Sequence, residues 1–218
     1  MRIKEIELNK TQFFSFLAIF TAILFYAGLA TNTWALVVSY KPLVVLFLAL
    51  AIPREDAFKK LMFAGFLFAA IGDLVLEISE DTFVYGLLFF LVTHLFYSVA
   101  FTLRSKRLQL WSLAIFAVAG YFVFDWLKDG IPQDMLLPVA VYMGVIIIMV
   151  WRAFVQRNYD KYAKWAFAGA VVFLLSDTLI AVNKFYSPIE GELWYIMTTY
   201  WLAQAMIFYA VVKGKPLS

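Results

Sequence analysis

The chain has 218 residues, of which 64% are hydrophobic, 19% aromatic and only 15% charged, with a mean hydropathy of +0.83. That composition excludes a soluble globular domain and places the chain in a membrane. A formal net charge of +3 does not point to nucleic acid as a partner, and the absence of cysteine removes disulfide and thiol chemistry.

Eight apolar runs, separated by connections of four to thirteen residues, are mostly long enough to cross about 30 Å of hydrocarbon as helices. In chain order they cover 13–30, 35–52, 61–78, 83–103, 110–126, 135–151, 165–182 and 193–212. The connections leave no room for a soluble domain, so the expected fold is all-α. It is a polytopic transmembrane helical bundle of eight spans, and residues 1–218 form one membrane domain. The N-terminus, the connections after spans two, four and six, and the C-terminus carry fifteen lysines and arginines. The other side carries three, Lys41, Lys128 and Lys184. Positively charged loops are retained in the cytoplasm, which predicts both termini inside.

The third run holds two charged positions in an otherwise buried pattern, and an internal repeat returns to one of them. FAGFLFAAIGDLVL (63–76) aligns without gaps on FAGAVVFLLSDTLI (167–180), which superposes Asp73 on Asp177. The match spreads weakly outward, pairing Pro42 with Pro138 and His94 with Gln204. Two four-span halves, about 13–103 and 110–212, are implied, inserted in the same orientation as a parallel 4+4 repeat.

Depth follows from the helical rise. Asp73 lies twelve residues beyond Leu61 and Asp177 twelve beyond Trp165, about 18 Å from the cytoplasmic boundary at 1.5 Å per residue. Glu77 is one turn above Asp73 on the same helix face. His94 and Gln204 are each eleven residues into their spans from the outer side, and Tyr142 and Lys41 about six. An ionisable group at such depth costs at least about 2.5 kcal/mol if it faces lipid, so these groups turn inward to a partner or to water. Asp73 and Asp177 are therefore read as a catalytic or ion-binding pair, and His94, the sole histidine, as a site residue. Glu77 can instead reach the outer interface, and Lys41 either snorkels or is the counter-charge to a carboxylate.

Several chemistries have no support. GxSxG, HExxH and P-loop motifs are missing, and one histidine without cysteine cannot assemble the usual zinc sets. No cofactor is called for, and the carboxyls carry no specific metal signature, so the expected metal set is none. What remains is a pair of intramembrane carboxyls suited to acid catalysis on a bond whose rupture creates a cation.

Taken together, Lys41-Pro42, Gly72-Asp73 with Glu77, Gly86, His94 and Tyr97, Pro138 and Tyr142, Gly169, Phe173 and Ser176-Asp177, and Tyr200 with Gln204 form an ordered set across nearly the whole chain. In residue type, order and spacing the set resembles the YhhN-like lysoplasmalogenase family of eight-span membrane proteins. The resemblance implies hydrolysis of the vinyl ether of lysoplasmalogens, 1-alkenyl glycerophospholipids carrying choline or ethanolamine, to a fatty aldehyde and the glycerophospho head group. It implies a substrate taken laterally from the bilayer, membrane lipids as the surroundings, and residence in a bacterial cytoplasmic (inner) membrane. Asp73 and Asp177 would then supply the acid and the anion, in either order. Glu77, His94, Tyr142, Tyr200 and Gln204 would orient water or bind glycerol and phosphate, with Lys41 the embedded cation for the phosphate. The same residues also suit a secondary transporter in which Asp73 and Asp177 bind a proton or a cation.

Overall fold

In hydrocarbon a chain must satisfy its own backbone N–H and C=O groups, and a continuous apolar run does so as a helix. The structure, a computed structural model, describes residues 2–217, with side chains described for 10–79 and 81–217. Among the described residues the regular elements are all helical: α1 (Arg2–Ala30), α2 (Trp34–Ala51), α3 (Ala57–Leu76), α4 (Phe83–Arg104), α5 (Leu110–Leu127), α6 (Gln133–Val155), α7 (Ala163–Phe185) and α8 (Glu192–Lys213). Short 3₁₀ turns occupy Glu80–Thr82 and Lys128–Gly130. Seven of the helices are long and apolar enough to cross a membrane. The other is α3, whose 20 residues rise about 30 Å. Its hydropathy is interrupted by Lys59 and Lys60 near one end and by Asp73 near the other.

The chain divides into two units, Met1–Ala100 with Pro216–Ser218 and Phe101–Lys215. In the first, α1 packs on α2 and α2 on α3. The α1–α2 turn is tight: Asn32 takes a positive φ of 53°, a conformation asparagine tolerates better than most residues. A Cβ at Gly28 would lie 2.8 Å from that of Leu36. Thr11 Oγ1 donates to the Ala51 carbonyl at 2.9 Å, tying the start of the apolar part of α1 to the end of α2. Asp56 caps α3, its Oδ1 accepting from the Lys59 amide at 2.8 Å. The α3–α4 pair approaches closely at glycines. A Cβ on Gly65 would run into the Tyr97 ring, and one on Gly72 would stand 2.9 Å from the Phe90 ring. Thr93 Oγ1 donates to the Gly65 carbonyl at 3.1 Å in the same contact.

In the second unit α5 packs on α6, α6 on α7, and α7 on α8. Gly169 of α7 repeats the device of Gly65: a Cβ there would lie 2.8 Å from the Ala203 carbonyl oxygen and from the Ile207 side chain of α8. Small residues at such crossings let membrane helices approach to van der Waals contact. At the end where α5 turns into α6, Leu127, Ile131 and Val139 form a buried cluster with Phe124, Leu136 and Val182 packed against it. At the other end two arginines organise the loops. Arg152, only 4% exposed, donates to Thr102 Oγ1 at 2.8 Å, to the Arg107 carbonyl at 2.9 Å and to the Ser105 carbonyl. Arg104 faces Asp160 at 4.0 Å, and Asp160 Oδ1 accepts from the Tyr162 and Ala163 amides at the start of α7.

Candidate active site

Unit 1 assembles an ion pair. Lys41 of α2 donates to Glu77 Oε1, with the two side chains only 8% and 9% exposed. Of the two roles open to Lys41, counter-charge to a carboxylate is the one found. Its partner is Glu77, and the ammonium that was expected to meet a substrate phosphate already meets a carboxylate here. The apolar run ends earlier as a helix than hydropathy suggests. α3 closes at Leu76, and Glu77 is its C-cap with near-helical φ −92° and ψ −8°. Asp73 and Glu77 are one turn apart and share a face. Asp73 is 2% exposed, and His94 is fully buried, with its carbonyl accepting from Ser98 Oγ at 2.7 Å. His94 stands on α4 between the Phe90–Gly72 and Tyr97–Gly65 contacts, about one turn along α3 from Asp73.

Unit 2 brings two expected residues into direct contact. The Tyr142 hydroxyl of α6 donates to Asp177 Oδ2 of α7 at 2.5 Å. Tyr142 is 8% exposed and Asp177 half-buried. On α8, Gln204 Nε2 donates to the Tyr200 hydroxyl at a long 3.4 Å, and both side chains are buried. The Tyr200 ring meets Phe173 edge-on with centroids 5.4 Å apart. Phe173 lies one turn before Asp177 on the same face of α7. Ser176 Oγ donates to the Ile196 carbonyl at 3.1 Å and so pins α8 to α7 beside the carboxylate.

The two units share a construction. In each, the helix with an internal proline, Pro42 in α2 or Pro138 in α6, presents a donor to a carboxylate on the following helix. Proline removes one i→i−4 hydrogen bond from the helix interior and leaves a carbonyl without its usual partner. The carboxylates are not equivalent positions of the repeat: Glu77 stands one turn beyond Asp73, the counterpart of Asp177.

Two structural residues had no assigned role in the sequence reading. Arg152 falls by charge counting among the fifteen cytoplasmic-side lysines and arginines, yet it is buried and holds the α4–α5 connection. Its place in VWRAFV, inside the apolar period of α6, is the signal that it faces inward. Asn183 Oδ1 accepts from the Ile189 amide at 2.7 Å and shapes the α7–α8 turn. Among the described residues no three histidine, aspartate or glutamate side chains are grouped to hold a metal ion.

Comparison with known proteins supplies the lineage. The YhhN family profile matches residues 34–211, which runs from the start of α2 into α8 and takes in every candidate site residue. Lysoplasmalogenase TMEM86A of Homo sapiens is 35% identical over 161 residues, covering 71% of this chain and 66% of that protein. Lysoplasmalogenase TMEM86B of Sus scrofa is 29% identical over 174 residues, covering 80% of this chain and 73% of that protein. An uncharacterized membrane protein YhhN of Escherichia coli is 26% identical over 132 residues, 59% of this chain and 61% of its own length. The chain thus spans just under two thirds of the length of TMEM86A, and no solved structure matches it. With its helices long and apolar enough to cross a bilayer and the family profile running from the start of α2 into α8, this integral membrane protein belongs to the YhhN family.

Proposed function

We propose that the chain is a membrane-embedded hydrolase that cleaves the vinyl ether of lysoplasmalogens, 1-alkenyl glycerophosphocholine or glycerophosphoethanolamine, to a fatty aldehyde and the glycerophospho head group. The observation that carries the proposal is an aspartate on a membrane helix, Asp177, held by the hydroxyl of Tyr142. It stands in a chain 35% identical to a lysoplasmalogenase. Asp73 and Asp177 are the proposed catalytic carboxyls.

Vinyl ether hydrolysis begins with proton transfer to the β-carbon, which leaves an oxocarbenium ion centred on the α-carbon and the ether oxygen. Water adds to the α-carbon, and the hemiacetal collapses to aldehyde and alcohol. A positioned acid and an anion near the developing cation lower this barrier, and each acts best where water is scarce. Asp177 already accepts a hydrogen bond from Tyr142, so it takes the role of the anion that faces the cation and draws a proton from the attacking water. Asp73, 2% exposed, is the proton donor. Tyr142 orients the Asp177 carboxylate. His94, Tyr200 and Gln204 are proposed to orient water or bind the glycerol. Lys41 and Glu77 form a paired charge beside Asp73, in which the Lys41 ammonium holds Glu77 and its remaining donors are the proposed contact for the phosphate.

The substrate would enter sideways from the bilayer, and the charge asymmetry of the connections favours cytoplasmic termini in a bacterial inner membrane. Carriers bind their ions on interrupted helices. α3 and α7, which carry the two aspartates, run unbroken over Ala57–Leu76 and Ala163–Phe185, which favours a fixed site. The test is aldehyde release from 1-alkenyl lysophosphatidylcholine by the purified protein, with the 1-acyl lipid as control. Release from the alkenyl lipid alone supports the proposal; no release from folded protein overturns it.

A further inference from the structure

Unit 1 carries a second feature at the far end of α2, ten residues and about 15 Å beyond Lys41. There Lys10 and Thr11 of α1 face Ala51 and the connecting residues 52–55 across a polar hollow of about 190 Å³. Small-molecule clefts run to about 300–1,000 Å³, so the hollow takes one small head group and leaves the rest of a ligand outside. Its level in the membrane is set by the sequence. The first apolar run begins at residue 13 and the second closes at 52, which puts the hollow where hydrocarbon gives way to lipid head groups.

Three charged side chains line the hollow, and two of them are exposed cations, Lys10 and Arg54. Among the described residues neither meets a carboxylate. Arg54 lays its guanidinium over the Phe63 ring, 4.5 Å from the centroid. The stacking holds the plane and leaves the N–H groups at its edge for a ligand. Lys10 Nζ stands 5.9 Å from the Phe14 ring. The third group, Glu55, is already neutralised, its Oε2 accepting from Nζ of the buried Lys59 at 2.9 Å. Asp56, next in the chain, is engaged as well, with Oδ1 on the Lys59 amide and Oδ2 on the Leu217 amide. The Ala51 carbonyl, an acceptor at the negative end of α2, takes the Thr11 hydroxyl. Among the described residues the Arg54 and Glu55 amides donate to no protein acceptor. The hollow therefore offers two unmatched positive charges and free donors. That balance selects an anion over a zwitterion, whose ammonium would find no open carboxylate.

Toward the membrane centre the surface next to the hollow turns apolar. Phe14 of α1 stacks on Phe47 of α2 with centroids 6.2 Å apart, Leu17 follows one turn along α1, and all three are only partly buried. A soluble phosphate makes no use of that surface, whereas a lipid whose head sits on Lys10 and Arg54 lays its chains along it. We propose that the hollow binds the head of an anionic bilayer lipid, a phosphodiester without an internal counter-charge, as in phosphatidylglycerol. Its phosphate lies between Lys10 and Arg54 and its acyl chains over Phe14 and Phe47. Such a lipid bridges α1 to the α2–α3 connection, which the protein itself ties here through Thr11. The proposal goes beyond the hydrolase reading and does not rest on it, because this ligand has two chains and no vinyl ether, and its site is at the other end of α2 from the Lys41–Glu77 pair.

The test offers the full chain, in detergent, equal amounts of phosphatidylglycerol and phosphatidylcholine of matched chains, and counts retained lipid by native mass spectrometry. The site predicts preferential retention of phosphatidylglycerol and a higher melting temperature in its presence. Lys10→Gln and Arg54→Gln should each weaken that retention about fivefold, and together about thirtyfold. Lys106→Gln with Arg107→Gln removes two exposed cations from the α4–α5 connection and should leave retention in place. Arg54→Gln also loses the stacking on Phe63, so if its melting temperature falls, Lys10→Gln decides the outcome by itself. A second arm titrates inorganic phosphate. Phosphate that displaces the lipid and raises the melting temperature equally would assign the hollow to a soluble anion and overturn the lipid proposal. Equal retention of the two lipids, or a loss that appears as strongly in the Lys106 and Arg107 double variant, would overturn it too. Aldehyde release from the alkenyl lipid, measured on the same samples, reports on the hydrolase separately.

Discussion

The hydroxyl of Tyr142 on α6 donates to Asp177 Oδ2 on α7 at 2.5 Å, between two helices that cross the apolar layer. A hydrogen bond to a charged group contributes about 1.5–3 kcal/mol. If that bond positions the carboxylate for the reaction, Tyr142→Phe should lower kcat by about 10- to 100-fold, at 1.36 kcal/mol per tenfold, with KM little changed. Steady-state aldehyde release measures it. An unaltered kcat would remove Tyr142 from the site.

Lys41 and Glu77 are the matching contact of unit 1, and both side chains are more than nine-tenths buried. Removing one member of a buried pair leaves an uncompensated charge and costs about 3–5 kcal/mol, whereas replacing both with apolar residues is often close to neutral. Lys41→Met should therefore melt far below the parent protein in detergent, and Lys41→Met with Glu77→Leu should recover most of the loss. A double variant as unstable as the single one would show that the pair does more than neutralise itself.

Gly169 sits where α7 meets α8, and a Cβ there would stand 2.8 Å from the Ala203 carbonyl oxygen. A backbone oxygen cannot rotate aside as a side chain can, so Gly169→Val must push the helices apart. The expected destabilisation is about 1–3 kcal/mol, the usual cost of overpacking. Gly144→Leu, with no atom within 4 Å of its Cβ, is the control and should leave the melting temperature in place.

Much of this architecture is legible in the sequence because the bilayer imposes one constraint on every span. The apolar runs locate seven membrane-length helices, and α4 and α5 begin at the expected residues, 83 and 110. Helix ends are read less well where helix and hydrocarbon do not coincide. The backbone of α1 continues to Arg2, since the polar stretch before residue 13 has neither proline nor glycine to stop it, yet hydropathy registers only the apolar part. α3 starts at Ala57, ahead of two lysines, and closes before Glu77. Helical spacing is enough to place Asp73 and Glu77 on one face. It says nothing of which residue on another helix meets Glu77, so the sequence alone leaves Lys41 between snorkelling and counter-charge, and the ion pair with Glu77 decides for the latter. Tyr142 stands out by depth and by family resemblance, but its contact with Asp177 joins residues 35 apart in the chain and leaves no periodic trace. Arg152 shows the complementary difficulty: an arginine at a helix end has the same sequence appearance whether it is solvated or buried.

Arg152 donates to Thr102 Oγ1 and to the carbonyls of Ser105 and Arg107, and so holds the α4–α5 connection from within. Arg152→Ala should free that connection. Limited trypsin digestion in nanodiscs should then cut after Lys106 or Arg107 several-fold faster than in the parent protein, because proteolysis follows local opening. Equal rates would mean that other contacts hold the loop.

The most direct test of the hydrolase assignment is aldehyde release from 1-alkenyl lysophosphatidylcholine by the purified protein and by its Asp73→Asn and Asp177→Asn variants, all checked for the parent melting behaviour. Carboxyl catalysis predicts release by the parent protein, none from the 1-acyl lipid, and loss of turnover in both variants, by at least about 10²-fold if each carboxyl acts in proton transfer. Near-parent rates in the folded asparagine variants would contradict the account.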